Sequence, residues 1–257
     1  MPLLQDFAAL FVRFRKNLLI LGIYILLVSV IAFPFAGEVI MRMSNDLLPQ
    51  QKYSGELYQL IQTQPLELMM LELKLSVVAG VIAALPVVFF YAYRFLAGRQ
   101  FGDRFRISGP KLLLATAVGL VLFIVGCLYS YWLMLPLVFK YLLESSLAAG
   151  VANSWKVSDF VNFAVMTTAV FGLVFELPLA MTVLARARIV PAWMFRKYRR
   201  HMYIVILIVA ALVTSPDVLT QVMVGIPLIV FYELSLLILK FTAPDNRPPT
   251  EEKASGL

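Results

Sequence analysis

The sequence predicts an all-α, polytopic membrane protein with six transmembrane helices, and three observations predict it. Of 257 residues, 61% are hydrophobic and only 14% charged, whereas soluble domains run nearer half apolar and a quarter charged. Six apolar runs can be read as spans, against the roughly 20 residues that a bilayer core asks of a helix. Basic residues gather in alternate loops, the pattern that orients spans. The composition excludes a disordered chain, a collagen, a disulfide scaffold and a soluble enzyme. One cysteine, Cys127, allows no disulfide within the chain, and one histidine, His201, allows no multi-histidine metal centre. The net charge of +7 fits loops facing anionic lipid on so apolar a chain, and no nucleic-acid partner is expected.

The first span is Leu18 to Phe35, preceded by Arg13, Arg15 and Lys16. Its length, and the large residues of Ala32-Phe33-Pro34-Phe35 where a cleavage site would need small ones, favour a retained span over a signal peptide. The second runs from about Leu71 to Leu96. The third runs from about Leu112 to Leu135, with room to continue past Pro136. The fourth is Phe160 to Leu184, the fifth lies between His201 and Thr214, and the sixth covers about Val218 to Leu239. The second-to-third loop carries Arg94, Arg99, Arg104, Arg106 and Lys111 against Asp103. The fourth-to-fifth carries Arg186, Arg188, Arg196, Lys197, Arg199 and Arg200 with no acid. The other loops balance Arg42 and Lys52 against Glu38, Asp46, Glu56 and Glu67, and Lys140 and Lys156 against Glu144 and Asp159. The last carries Asp217 alone. Positive loops stay inside, so both termini are expected in the cytoplasm.

The last two spans read as short. The fifth gives roughly 22 Å of helix at 1.5 Å per residue, against a hydrocarbon core of roughly 30 Å. Gln221 and Glu233 interrupt the sixth, leaving Val222 to Tyr232 as its unbroken apolar stretch. Either the hydrophobic belt is thin on that side or neighbouring helices cover both ends. The residues after Phe241, rich in proline and acid, read as a flexible cytoplasmic tail over 242–257, beyond a membrane domain over 1–241.

Glu176, within FGLVFELPLA, lies near the middle of the fourth span, where an ionisable group is costly and usually faces a cavity or a partner. Thr168, Ala169, Gly172 and Ala180 form a small-residue stripe around it, suited to close helix packing and equally to a pocket. Pro178 lacks an N–H, so the carbonyl of Val174 loses its helical partner and a kink is expected there. The competing reading is a protonated Glu176 hydrogen-bonded to another helix. Glu72, Lys74, Asp217 and Gln221 read as outer-end residues. Glu233 lies about one turn from the inner end of the sixth span, and His201 marks the inner surface. GxGxxG, Walker A, HExxH and CxxC motifs are all missing from the sequence, and no Ser–His or aspartate pair occupies the spans. No enzymatic activity, cofactor or metal is expected.

Several segments together resemble the TatC family, the multispanning receptor subunit of the twin-arginine protein translocase. They are FGLVFELP (Phe171 to Pro178), FRKYRR (Phe195 to Arg200), LVTSPDVLTQ (Leu212 to Gln221) and IPLIVFYELS (Ile226 to Ser235). LKLSVVAGVIAALPVVFFYAYRFLAG (Leu73 to Gly98) and SYWLMLPLVFKYL (Ser130 to Leu142) add to them. The resemblance covers roughly Phe11 to Phe241. It implies a curved, glove-like bundle of six helices with short fifth and sixth spans, in a prokaryotic cell membrane. It implies that the carboxylate at Glu176 lies in a concave intramembrane face and meets the polar part of small single-span subunits of the TatA/TatB type. Asp217, Gln221 and Glu233 match further polar positions of the family. The implied function is to bind twin-arginine signal peptides and to assemble the export machinery for folded proteins, driven by the protonmotive force.

Two family positions differ. In LFVRFRKNLL, Arg13 stands where the family has a glutamate. In FGDRFR, Arg104 stands where it has a second one, with Asp103 one position away. Phe95 matches the family's aromatic before that loop. Two guanidiniums are best met by carboxylates in bidentate geometry, and Arg13 and Arg104 would repel them. Two explanations stay open. In one, Asp103 together with Asp6 forms a relocated acceptor site for the signal, which binds there and at Phe95. Alternatively, the chain is a divergent paralogue, a scaffold or partner of itself or of a second TatC-like protein that reads the signal. A proton-coupled small-solute transporter with Glu176 as carrier is a third and weaker reading, since no internal repeat is evident.

Overall fold

The computed structural model describes residues 2–47, 58–62, 64–97, 109–148, 153–186, 189–214 and 217–242. The side chains of residues 2–18, 58–60, 89–90, 92–97, 109, 111–112 and 153–154 are not among the described ones. Nine α-helices are described: α1 (Pro2–Leu47), α2 (Glu67–Ala97), α3 (Gly109–Tyr129), α4 (Leu135–Ala148), α5 (Val157–Phe175), α6 (Leu177–Arg186), α7 (Ala192–Lys197), α8 (Arg199–Val213) and α9 (Val218–Thr242). Two short strands, β1 (Tyr58–Ile61) and β2 (Asn153–Lys156), pair in a two-stranded sheet that the sequence did not lead one to expect.

Among the described residues, five helical stretches are long and apolar enough to cross a membrane: Leu19–Leu47, Glu67–Val88, Leu113–Ala148, Val157–Arg186 and Val218–Thr242. They answer to the first, second, third, fourth and sixth expected spans. The expected fifth is α8, only 15 residues long. The shortness expected of the sixth belongs to its apolar stretch and not to its helix, because α9 runs on for 25 residues to Thr242. Glu233 therefore lies well inside the helix and not one turn from its end. The third span does continue past Pro136. A proline cannot donate to the fourth carbonyl back and its ring crowds that carbonyl. The chain answers with a π-helical turn over Ser130–Met134, closed by the Leu135 N–H on the Ser130 carbonyl, and then resumes as α4.

The chain divides into two compact units. The first comprises residues 1–88 and 154–161. There α1 and α2 pack through Gly80: a Cβ at this position would lie 2.6 Å from the Ile25 carbonyl oxygen and 2.5 Å from Ser29 Oγ. Ala36, Ile40, Met43 and Leu47 make a buried stripe at helical spacing on α1. Beyond it, Gly37 faces the Glu72 carboxyl, with Oε1 3.0 Å from where a Cβ would stand. Glu67 opens α2 and fastens two segments. Its Oε2 accepts the Gln64 N–H at 3.3 Å, and its Oε1 accepts the Ser158 N–H at 3.2 Å, 91 residues away.

The second unit holds residues 89–153 and 162–257. Its core joins Met134, Val138, Phe171, Met181, Ile206, Val224, Leu228 and Tyr232. Tyr129, Phe171, Phe175 and Phe231 add an aromatic cluster with ring centroids 4.0–5.7 Å apart. Helix α9 contributes Thr220, Val224, Leu228, Tyr232, Ser235 and Leu239 as a buried stripe at spacings of three and four. Its other face carries Leu219, Ile226, Val230, Leu237 and Phe241, all exposed, as helices bathed in lipid require.

Candidate functional site: an intramembrane carboxyl

The fourth span breaks where Pro178 predicts. Helix α5 stops at Phe175 and α6 starts at Leu177, with Glu176 alone in the turn between them. The Glu176 N–H turns back to the Leu173 carbonyl at 3.2 Å, and its own carbonyl accepts the Ala180 N–H at 2.9 Å. The break thus presents a carboxyl at a point where the helix cylinder is interrupted.

That carboxyl lies over α3. A Cβ on Gly119 would sit 3.2 Å from each carboxyl oxygen and 3.4 Å from Leu179 Cδ2. Only a glycine leaves this room unfilled. One turn and more along the pair, the helices press closer. A Cβ on Gly126 would stand 2.7 Å from the Phe171 carbonyl oxygen, and one on Gly172 would stand 2.6 Å from a Phe123 ring carbon. Small residues allow such approach. Of the stripe that held two readings, Gly172 serves packing, and the space for the acid comes from Gly119 on the facing helix.

Glu176 is 6% exposed, and its Oε1 has no hydrogen-bond partner among the described residues. The alternative reading, a carboxyl hydrogen-bonded to another helix, is thus not what the described residues form at that oxygen. Leaving a buried polar atom unmet costs about 1–3 kcal/mol, and a costly ionisable group within a span is the mark of a candidate site. About two turns back along α5, Thr168 Oγ1 donates to the Ala164 carbonyl at 2.8 Å, and Ser130 Oγ reaches Thr168 Oγ1 at 3.5 Å. Thr167, fully buried, also has no partner for its hydroxyl among the described residues.

The other polar positions have separate places. Asp217 caps α9: its carboxylate accepts the Thr220 N–H at 3.1 Å and the Leu219 N–H at 3.4 Å. Gln221 donates through Nε2 to the Leu207 carbonyl at 3.0 Å, joining α9 to α8. Glu233 accepts the Tyr203 hydroxyl and lies 4.0 Å from Arg199. None of the three is brought to Glu176 by a described contact. Phe95 falls in α2, but its side chain lies outside the described residues, as do Asp103 and Arg104 and the side chains of Asp6 and Arg13. Sequence reasoning missed Gly119. Its signal, a glycine seven residues before Gly126 in the facing span, was present but meaningless until the helix register was known.

The family model described as Sec-independent protein translocase protein (TatC) matches residues 10–227. The chain belongs to the TatC family. It is 30% identical over 241 residues to TatC of Aquifex aeolicus, covering 93% of this chain and 95% of that protein. It is 32% identical over 194 residues to TatCt of Haloferax volcanii, of which it spans only 27%. The crystal structure of the twin-arginine translocase receptor TatC superposes with a TM-score of 0.77 at 28% identity, covering 89% of this chain and 97% of that one. The polytopic helical fold expected from the sequence is the TatC fold, and the chain is a multi-pass membrane protein of that family.

Proposed function

We propose that this chain is the receptor and assembly subunit of a twin-arginine translocase, exporting folded proteins across a prokaryotic cytoplasmic membrane without covalent chemistry. The observation that carries this reading is the likeness to the twin-arginine translocase receptor over nine-tenths of the chain. In this reading Glu176 is the polar contact for small single-span subunits of the TatA/TatB type. A buried oxygen without a partner among the described residues supports that role, because an incoming polar group on a subunit helix would satisfy it. The signal peptide docks at the cytoplasmic face around Phe95 and Asp103, and both termini lie in the cytoplasm; of the tail expected over 242–257, Thr242 closes α9 and the rest lies outside the described residues. At the opposite face Asp217 caps α9 and Gln221 ties it to α8.

A second reading is favoured by Arg13 and Arg104. Two cations where the family has acids oppose an arginine pair, so the chain would act as a partner or scaffold of a second TatC-like protein. Photo-crosslinking from position 95 separates the two. Receptor function predicts labelling by a twin-arginine signal peptide and its loss with a double-lysine peptide. Equal labelling, or none, refutes signal reading by this chain.

A further inference from the structure

We propose that the corner between α7 and α8 binds the phosphate of an anionic phospholipid through Lys197 and Arg200, with Trp193 against the lipid. The register of the α8–α9 hairpin carries the inference. At one end, Asp217 caps α9, and a charged cap at a span end belongs with the polar zone of a bilayer. From that end, Arg199 and Glu233 lie at one level, as their 4.0 Å approach shows. Both are about 22 Å along their helices from Val213 and Val218, at 1.5 Å per residue. The hydrocarbon core of a bilayer is roughly 30 Å. The basic end of the hairpin therefore stops about 8 Å short of the far headgroups, and tilt only widens the deficit.

Cations at this level need anions. Glu233 supplies one carboxylate, already engaged by Arg199 and by the Tyr203 hydroxyl. Residues 186–200 contain no acid. Lys197 and Arg200 are exposed, and neither has a carboxylate partner among the described residues, whose ion pairs are Arg42–Glu38, Lys140–Glu144 and Arg199–Glu233. Lys197 Nζ lies 5.3 Å from the Trp193 ring centroid, which holds the ammonium beside an interfacial aromatic. Arg186 donates from Nε and a terminal nitrogen to the Thr242 carbonyl, at 3.1 and 3.0 Å, and so belongs to the end of α9 and not to the site. An ammonium at the end of α7 and a guanidinium in the first turn of α8, three residues on, offer the donors that a phosphate monoanion takes up. A lipid supplies that phosphate from within the bilayer, and a soluble phosphate would have to enter it. The rival occupant is the chain's own acidic tail, with Asp245, Glu251 and Glu252.

The test uses the full chain with Trp132→Phe and Trp155→Phe, leaving Trp193 as the single tryptophan, in vesicles of phosphatidylcholine with phosphatidylglycerol. Brominated phosphatidylglycerol should quench Trp193 as though enriched about five-fold or more over brominated phosphatidylcholine. Lys197→Gln with Arg200→Gln should bring the two lipids to equal quenching while the circular dichroism stays helical. Added inorganic phosphate should not restore the fluorescence. Equal quenching in the parent, or a preference unchanged by the double substitution, overturns the proposal. So does competition by millimolar phosphate. A preference that emerges only after deletion of residues 243–257 would make the tail the occupant and likewise overturn it.

Discussion

Replacing Gly126 with alanine tests the packing that sets the carboxyl in place. The new Cβ would stand 2.7 Å from the Phe171 carbonyl oxygen, 2.9 Å from Gly172 Cα and 2.9 Å from the Phe175 ring. Ordinary contact begins near 3.5 Å, so α3 and α5 must part by about half an ångström or more. Two of the three obstacles are backbone and cannot rotate away. Overpacking of this kind costs about 1–3 kcal/mol. Gly172→Ala meets mainly the edge of the Phe123 ring and Cys127 Sγ, so it should cost less, and Phe123→Leu should relieve it. Phe123→Leu should do nothing for Gly126→Ala. Gly22→Ala, with nothing within 4 Å of the added carbon, should be neutral or slightly stabilising. Equilibrium unfolding in mixed detergent micelles, followed by circular dichroism, gives the order. If Gly126→Ala proved as stable as Gly22→Ala, the close approach of α3 to α5 would be wrong.

Three further outcomes follow from individual contacts. Glu67→Ala removes the acceptor shared by Gln64 and Ser158 and should cost about 1–3 kcal/mol; limited proteolysis near residue 64 should quicken, while Glu67→Gln should fall between. Asp217→Ala should cost about 1 kcal/mol through loss of the α9 cap, and Asp217→Asn or Ser should restore most of it; recovery by neither would show that the side chain does not act as a cap. Tyr203→Phe leaves Glu233 with Arg199 alone and should lower stability by about 1 kcal/mol, an effect that should vanish in a Glu233→Gln background if the two groups interact directly.

Much of the fold was legible because bilayer insertion is a demanding and simple constraint. Apolar length placed the spans, and Pro136 and Pro178 marked where backbone hydrogen bonding must change. What proline does at each place was not legible. At Pro136 a π-helical turn absorbs it and the helix goes on, whereas at Pro178 the helix breaks and exposes Glu176. The difference depends on what packs alongside, which a single strand of letters does not reveal. The sheet of β1 and β2 was missed because its strands are four residues each and pair across a separation of about ninety positions. Residues such as Asn153-Ser154-Trp155-Lys156 carry too little periodicity to announce it. The acid of the site was evident from its cost in lipid. Its glycine neighbour was not, since Gly119 matters only through its register against α6. Asp217 and Gln221 were flagged as polar, and structure turns one into a helix cap and the other into a strut between helices.

The most direct test of the whole account is export in the organism's own cells. The chain is deleted and then resupplied either unchanged or with Glu176→Ala, and arrival of a folded twin-arginine fluorescent reporter outside the cytoplasmic membrane is measured. The account predicts loss of export on deletion, recovery with the unchanged chain, and no recovery with the alanine variant at equal membrane abundance. Full export with Glu176→Ala would contradict it.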